Sequence, residues 1–353
     1  MINPVEWWQH RQARRRYMPK ARRTGPGTIA KVAIVALVVI VAVAALLEMR
    51  RGGGAEAALV EHARENRLEP LDLVAVAGRS RRLLFVADVA GAVQPKRFAA
   101  EAIERLATTS GLDLVVLDVD SDEQPYIDRY LATTPEDASI LMGRPRIVKD
   151  AEGLGRDYLE IYRRVWKVNS ELGAARRVRI VAADLPGWPP GRSVSPSEAA
   201  QLFGRRDAHM LETVMNRALA RSPNARVFFF MDGLHVIRNG GARVQTGGTS
   251  PVETTWLAAL LAERFPQDVY SILVDAQPAR SVAPALAGYA GTQAADLLRR
   301  GGLGNGFALR LGPAFPDVPR PAIRTKERTG VEFILEPRAG LMQELADAYI
   351  YFQ

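Results

Sequence analysis

Five apolar segments of this chain each close on an aspartate, and that recurrence restricts the fold more than any other feature of the sequence. They read Phe85-Val-Ala-Asp88, Val116-Leu-Asp118-Val-Asp120, Val181-Ala-Ala-Asp184, Phe230-Met-Asp232 and Leu273-Val-Asp275. Between them run stretches with apolar residues at helical spacing: Phe98, Ala102, Ile103 and Leu106, then Tyr158, Ile161, Tyr162, Val165 and Leu172, then Met210, Leu211, Val214, Met215 and Ala218. Short strand-like runs alternating with amphipathic helices specify βα units and a parallel sheet. We therefore expect an α/β domain, with a largely parallel sheet and helices on both faces. Its strands are expected at 83–87, 112–117, 178–182, 227–231 and 269–274, with weaker candidates at 307–311 and 331–335. Helix starts are expected at Ser195-Pro196-Ser197-Glu198 and Ser250-Pro251-Val252-Glu253, where a hydroxyl, a proline and a glutamate fall at the N-cap, N1 and N3 positions.

If those strands are parallel, their aspartates share the rim where open α/β sheets bind ligands. Like charges brought together must share a cation or give up a proton. Asp88, Asp118, Asp120 and Asp232, with His235 three residues beyond the last, are accordingly candidate ligands for a divalent cation. The alternative is that each aspartate caps the helix after its strand. Of the four histidines, only His235 lies beside a strand end. His10 is in a basic tail, His62 on a polar helix, and His209 on the stripe with Met210.

The net charge of +8 is not a property of the whole chain. Residues 1–31 hold eight basic side chains against Glu6 alone, which leaves residues 32–353 close to neutral. A nucleic-acid-binding body is thereby disfavoured, and the absence of cysteine removes disulfide frameworks. After the tail, Val32 to Leu47 are sixteen unbroken apolar residues bordered by Lys31. The 19 positions from Ile29 to Leu47 would cross roughly 28 Å as a helix. The expectation is one transmembrane helix over 28–48, preceded by a cytoplasmic basic tail over 1–27. A Gly-rich linker over 49–56 and the exported domain over 57–311 follow, with a C-terminal appendage over 312–353. The charge asymmetry puts the tail in the cytoplasm and the bulk of the chain beyond the inner membrane. Trp7 and Trp8 beside Arg14, Arg15 and Arg16 suit anionic lipid or a membrane partner. A cleaved signal peptide ending near Ala44 is the competing reading of the same stretch.

Residues 82–275 resemble the erythromycin-esterase-like family, related to the ChaN-like and Tiki-like proteins. The resemblance is carried by Leu112-Asp-Leu-Val-Val-Leu-Asp118 followed by Gln124-Pro-Tyr-Ile-Asp128-Arg-Tyr130-Leu. It continues in the Arg163 to Asn169 segment and in Arg206-Asp207-Ala-His209-Met210. It implies a hydrolytic signature Gly-Glu-x-His-Gly after the first strand. Here that stretch reads Ala87-Asp88-Val89-Ala90-Gly91, with Asp88 for the glutamate and Ala90 for the histidine. A methyl group cannot take a proton from water, a loss that typically costs ~10²–10⁴ in rate. A later His-Asn-x-His pair keeps only its second histidine, as Asp232-Gly233-Leu234-His235, while Arg206 and Asp118 match possible oxyanion and carboxylate partners. Neither a Gly-x-Ser-x-Gly elbow nor a Walker or dinucleotide fingerprint occurs.

The expected function is a non-catalytic accessory or stabilising subunit of a larger membrane complex, without a cofactor, that uses a hydrolase-like domain for protein contacts. The alternative is an active esterase or metal-dependent hydrolase that uses His235 with Asp88, Asp118 and Arg206. A third reading, implied by the ChaN-like kinship alone, is a haem or metal carrier.

Overall fold

The computed structural model describes residues 57–149, 155–173, 176–189, 194–246, 250–276, 293–304, 306–318, 323–326, 332–337 and 341–352. Residues 55–353 form one compact unit. Helix α1 (57–66) and helix α2 (Pro70–Ser80) lead into strand β1 (Leu83–Asp88), α3 (Gln94–Thr109) and β2 (Leu114–Asp120). Then come α4 (Gln124–Leu131), α5 (Ser139–Met142), α6 (Gly155–Leu172), β3 (Arg179–Asp184), α7 (Pro196–Thr213) and β4 (Val227–Asp232). The remainder is β5 (Gly241–Thr246), β6 (Val252–Thr255), α8 (Leu257–Arg264), β7 (Val269–Asp275), α9 (Gln293–Arg300) and β8 (Phe307–Arg310), followed by β9 (Ile323–Lys326), β10 (Glu332–Pro337), α10 (Met342–Leu345) and β11 (Ala348–Tyr351).

The main sheet has seven strands in the order β3-β2-β4-β1-β7-β11-β8. All its pairings are parallel except that of β8 with β11. From β1 the chain steps to β2 and then β3, and from β3 it turns back to β4, between β1 and β2. Right-handed crossovers in opposite directions place their helices on opposite faces. The helices group accordingly, α3 packing on α2 and α6 while α7 packs on α8. The central strands are buried along their length except at Asp232, the last residue of β4, as a sheet covered on both faces requires. Phe85 and Phe229, paired in register across β1 and β4, stack with ring centroids 4.0 Å apart.

The structure corrects several expectations. No helix among the described residues is long and apolar enough to cross a membrane, which goes against the expected single transmembrane helix. Residues 28–48, with Lys31, Val32 and Leu47, lie outside the described residues, as do the tail with Trp7, Trp8, Arg14, Arg15 and Arg16 and most of the linker. Ser250-Pro251-Val252-Glu253 opens a strand and not a helix, because Val252, Thr254 and Thr255 are β-branched and pair antiparallel with β5. That pairing belongs to a second, four-stranded antiparallel sheet, β6-β5-β10-β9. Gly241 is required in it, since a Cβ there would lie 2.0 Å from the Thr254 carbonyl oxygen. Nor is the C-terminal segment an appendage. Strand β11 lies between β7 and β8, inside the main sheet.

The outer edge of β3 is closed by one side chain. The Gln124 carboxamide donates from Nε2 to the Ile180 carbonyl (2.8 Å) and accepts at Oε1 from the Ala182 amide (2.8 Å). These are the two bonds that one residue of a neighbouring parallel strand would make, so the glutamine stands in for an eighth strand and blunts an exposed edge. Gln124→Ala is expected to lower the unfolding free energy by about 1–2 kcal/mol, measured by urea denaturation. Gln124→Glu, which sets a carboxylate oxygen against the Ile180 carbonyl and Asp128, should be at least as destabilising.

Candidate functional site

The reversal between β3 and β4 opens a switch point at the carboxyl ends of β2, β4 and β1, where a doubly wound sheet places its ligands. Three aspartates converge there. Asp88 and Asp232 are register partners across β1 and β4, and the Asp232 amide donates to Asp118 Oδ2 at 3.0 Å. The two carboxylates Asp88 and Asp118 are buried, and the negative charge is met by lysines. Lys96, which is 0% exposed, places Nζ 2.7 Å from Asp88 Oδ1 and also donates to the Val89 carbonyl at 3.2 Å. Lys149 bridges the pair, with Nζ 2.7 Å from Asp118 Oδ1 and 3.7 Å from Asp88 Oδ2.

Both lysines hold positions that local preference opposes. Lys96 lies in the first turn of α3, where the helix dipole disfavours a cation. Lys149 has φ +47°, a left-handed conformation costing a non-glycine residue on the order of 1 kcal/mol or more. Charge pairing inside the low-dielectric rim outweighs both penalties. Asp232, less buried, accepts the Leu234 amide at 3.0 Å in a local turn.

The remaining strand-end aspartates are held in separate pairs. Asp120 accepts from Arg146 Nη1 at 2.7 Å and from the Asp122 amide. Asp184 receives a two-pronged contact from Arg206, Nε to Oδ1 at 3.1 Å and Nη2 to Oδ2 at 2.7 Å, and the guanidinium lies over the Trp188 ring. Asp275 accepts the Tyr349 hydroxyl at 2.8 Å. The structure thus brings Asp88, Asp118 and Asp232 together and places Asp120, Arg206 and His235 in other pairs. Sequence reasoning missed Lys96, Lys149 and Arg146. The one available signal was Lys96, a cation placed on the first turn of a helix eight residues past a strand-end aspartate.

A divalent cation does not fit this rim. The oxygens that would ligate it are engaged by two ammonium groups, and no group of three His, Asp or Glu side chains among the described residues could hold a metal ion.

His235 lies below the rim and is 0% exposed. Its Nδ1 is 2.8 Å from Asp207 Oδ1, and the same oxygen accepts the Leu257 amide at the start of α8. The backbone of His235 bonds to Asp232 and Ala258. One histidine therefore ties α7, the turn after β4 and α8 together. Its Nε2, like Asp207 Oδ2, is buried with no hydrogen-bond partner. Burial disfavours the imidazolium, but the Asp207 carboxylate outweighs it, against an opposing push from Arg206, so the His235 pKa stands above its ordinary value.

Two predictions follow from these pairs. Lys96→Met should destabilise the fold by about 3–5 kcal/mol in urea, and adding Asp88→Leu should recover most of that loss, because the penalty is the stranded carboxylate. The stabilisation from His235 should be complete below its unfolded pKa, about 6.5, and should fade as pH rises through the higher folded value. Unfolding free energy followed from about pH 6 to pH 9 should therefore show a His235-linked fall that Asp207→Asn flattens.

Neither a protein-family model nor a curated protein matches this sequence. Solved structures do match its fold. An erythromycin esterase variant in its open conformation aligns over 79% of this chain and 92% of its own, at 10% identity and a TM-score of 0.52. A succinoglycan biosynthesis protein aligns over 85% and 96%, at 8% identity and a TM-score of 0.60, and a Bacillus cereus protein over 84% and 97%, at 10% and 0.53. The described chain therefore has the erythromycin-esterase-like fold.

Proposed function

We propose that this chain is a non-catalytic member of the esterase-like fold that works by binding, as an accessory subunit in contact with other proteins. The observation that carries the reading is the state of Asp88. The residue that matches the signature carboxylate is clamped by a wholly buried lysine, and the position two residues on, which would hold the base, is Ala90. A carboxylate committed to Lys96 and Lys149 has no imidazole to work with and no room for a metal. The rim is a set of closed ion pairs whose chemistry is structural. The basic tail carries the anionic-lipid contact in the same proposal.

The second reading, a hydrolase using His235, is favoured by the Asp207–His235 pair, which orients an imidazole with one nitrogen unbonded. An ester assay separates the two. The full chain should hydrolyse p-nitrophenyl acetate no faster than buffer. Saturable turnover that is lost in His235→Gln would overturn the binding reading. Isolated natively under mild conditions, the protein should elute with partner subunits in a fixed ratio, and a lone monomer would count against the accessory role.

A further inference from the structure

A second cleft lies away from the strand-end rim, along the outer edge of β3. It has a volume of about 500 Å³, within the range of small-ligand sites. Its lining includes Arg179 of β3, Arg217 and Arg221, together with Asp122 and with Asp128 of α4. Ser121 and Gln124 also line it. None of the three arginines makes an ion pair or a side-chain hydrogen bond among the described residues, although two carboxylates line the same cleft.

The local backbone adds an independent observation. Beyond α7 the chain continues as a π-helical turn, Val214–Leu219, in which the Ala220 amide bonds to the Met215 carbonyl. Such turns are rare and recur at functional sites. This one carries Arg217, with Arg221 four residues on. Arg179 adds a third charge to the same cleft, and like charges gathered there repel. An arrangement that is repulsive by itself is stabilised by a multiply charged anion.

We propose that this cleft binds a small phosphorylated polyol, such as a sugar phosphate. Guanidinium groups match phosphate oxygens in planar, paired contacts, and three of them suit a dianion better than a single carboxylate. Carboxylates accept hydrogen bonds from hydroxyl groups, of which a polyol offers several on carbon beyond the one or two P–OH groups of inorganic phosphate. The arginines therefore hold the phosphate end, and Asp122 and Asp128 read the hydroxyl end. This site is separate from the Asp88 rim, so it stands whether or not the ester assay detects turnover.

Calorimetric titration of the full chain with glucose 6-phosphate, inorganic phosphate and glucose tests the assignment. The sugar phosphate should bind saturably and more tightly than inorganic phosphate, and glucose should not bind. Arg217→Ala combined with Arg221→Ala, both exposed positions, should weaken sugar phosphate binding by about tenfold or more while the melting temperature without ligand stays unchanged. Asp122→Ala combined with Asp128→Ala should remove the preference for the sugar phosphate over inorganic phosphate. The proposal fails if no phosphate compound binds saturably, if the double arginine variant binds as the parent does, or if glucose binds equally well.

Discussion

The rim of the main sheet rests on one electrostatic requirement, that each aspartate buried at a strand end meets a positive charge or a hydrogen-bond donor within the fold. An isolated carboxylate at that depth would cost several kcal/mol, which is a large part of the stability of an ordinary domain. Lys96 and Lys149 meet the requirement at β1 and β2, Arg146 and Arg206 meet it at β2 and β3, and the Tyr349 hydroxyl meets it at β7. The helix start at Lys96 and the left-handed backbone at Lys149 make sense only as consequences of that requirement. Position by position, the cations have been drawn into places that neither helix nor turn preference would choose.

Much of the architecture was legible because its signal is local. Apolar runs that close on aspartate marked β1, β2, β3, β4 and β7, and the spacing of Tyr158, Ile161, Tyr162 and Val165 marked the buried face of α6. The Ser195 cap was legible for the same reason, its side chain accepting the Glu198 amide. What escaped was non-local or ambiguous. Lys149 meets Asp118 across 31 residues and Arg146 meets Asp120 across 26, and a lysine or arginine in a polar loop reads as solvated until the fold closes around it. Ser-Pro-Val-Glu satisfies the wording of a helix cap, yet the β-branched residues that follow favour a strand, and pairing with β5 decides the matter. Strand β11 fell within the segment expected as an appendage, because four residues are too few to declare a period.

Likeness of fold does not by itself carry likeness of chemistry. The fold is shared with solved structures at 8–10% identity. The residues that fill the crevice decide what can happen there. Ammonium groups occupy the oxygens that a metal or an activated water would need. The arginine-lined cleft lies elsewhere, on an edge strand and a π-helical turn.

The placement of β11 carries a consequence for how the molecule assembles. Strand β7 cannot gain its outer neighbour until a segment more than seventy residues downstream has been made, the side chains of Tyr349 and Asp275 being 74 positions apart. Until then the apolar flank of β7 is an unpaired ribbon, and β8, held otherwise by a single bridge between Ala308 and Leu68, lacks its strand partner. Pairing over such a distance is entropically slow. During synthesis, the open edge of β7 is therefore a vulnerable surface whose protection from aggregation depends on the tyrosine-containing strand β11 sliding into the gap.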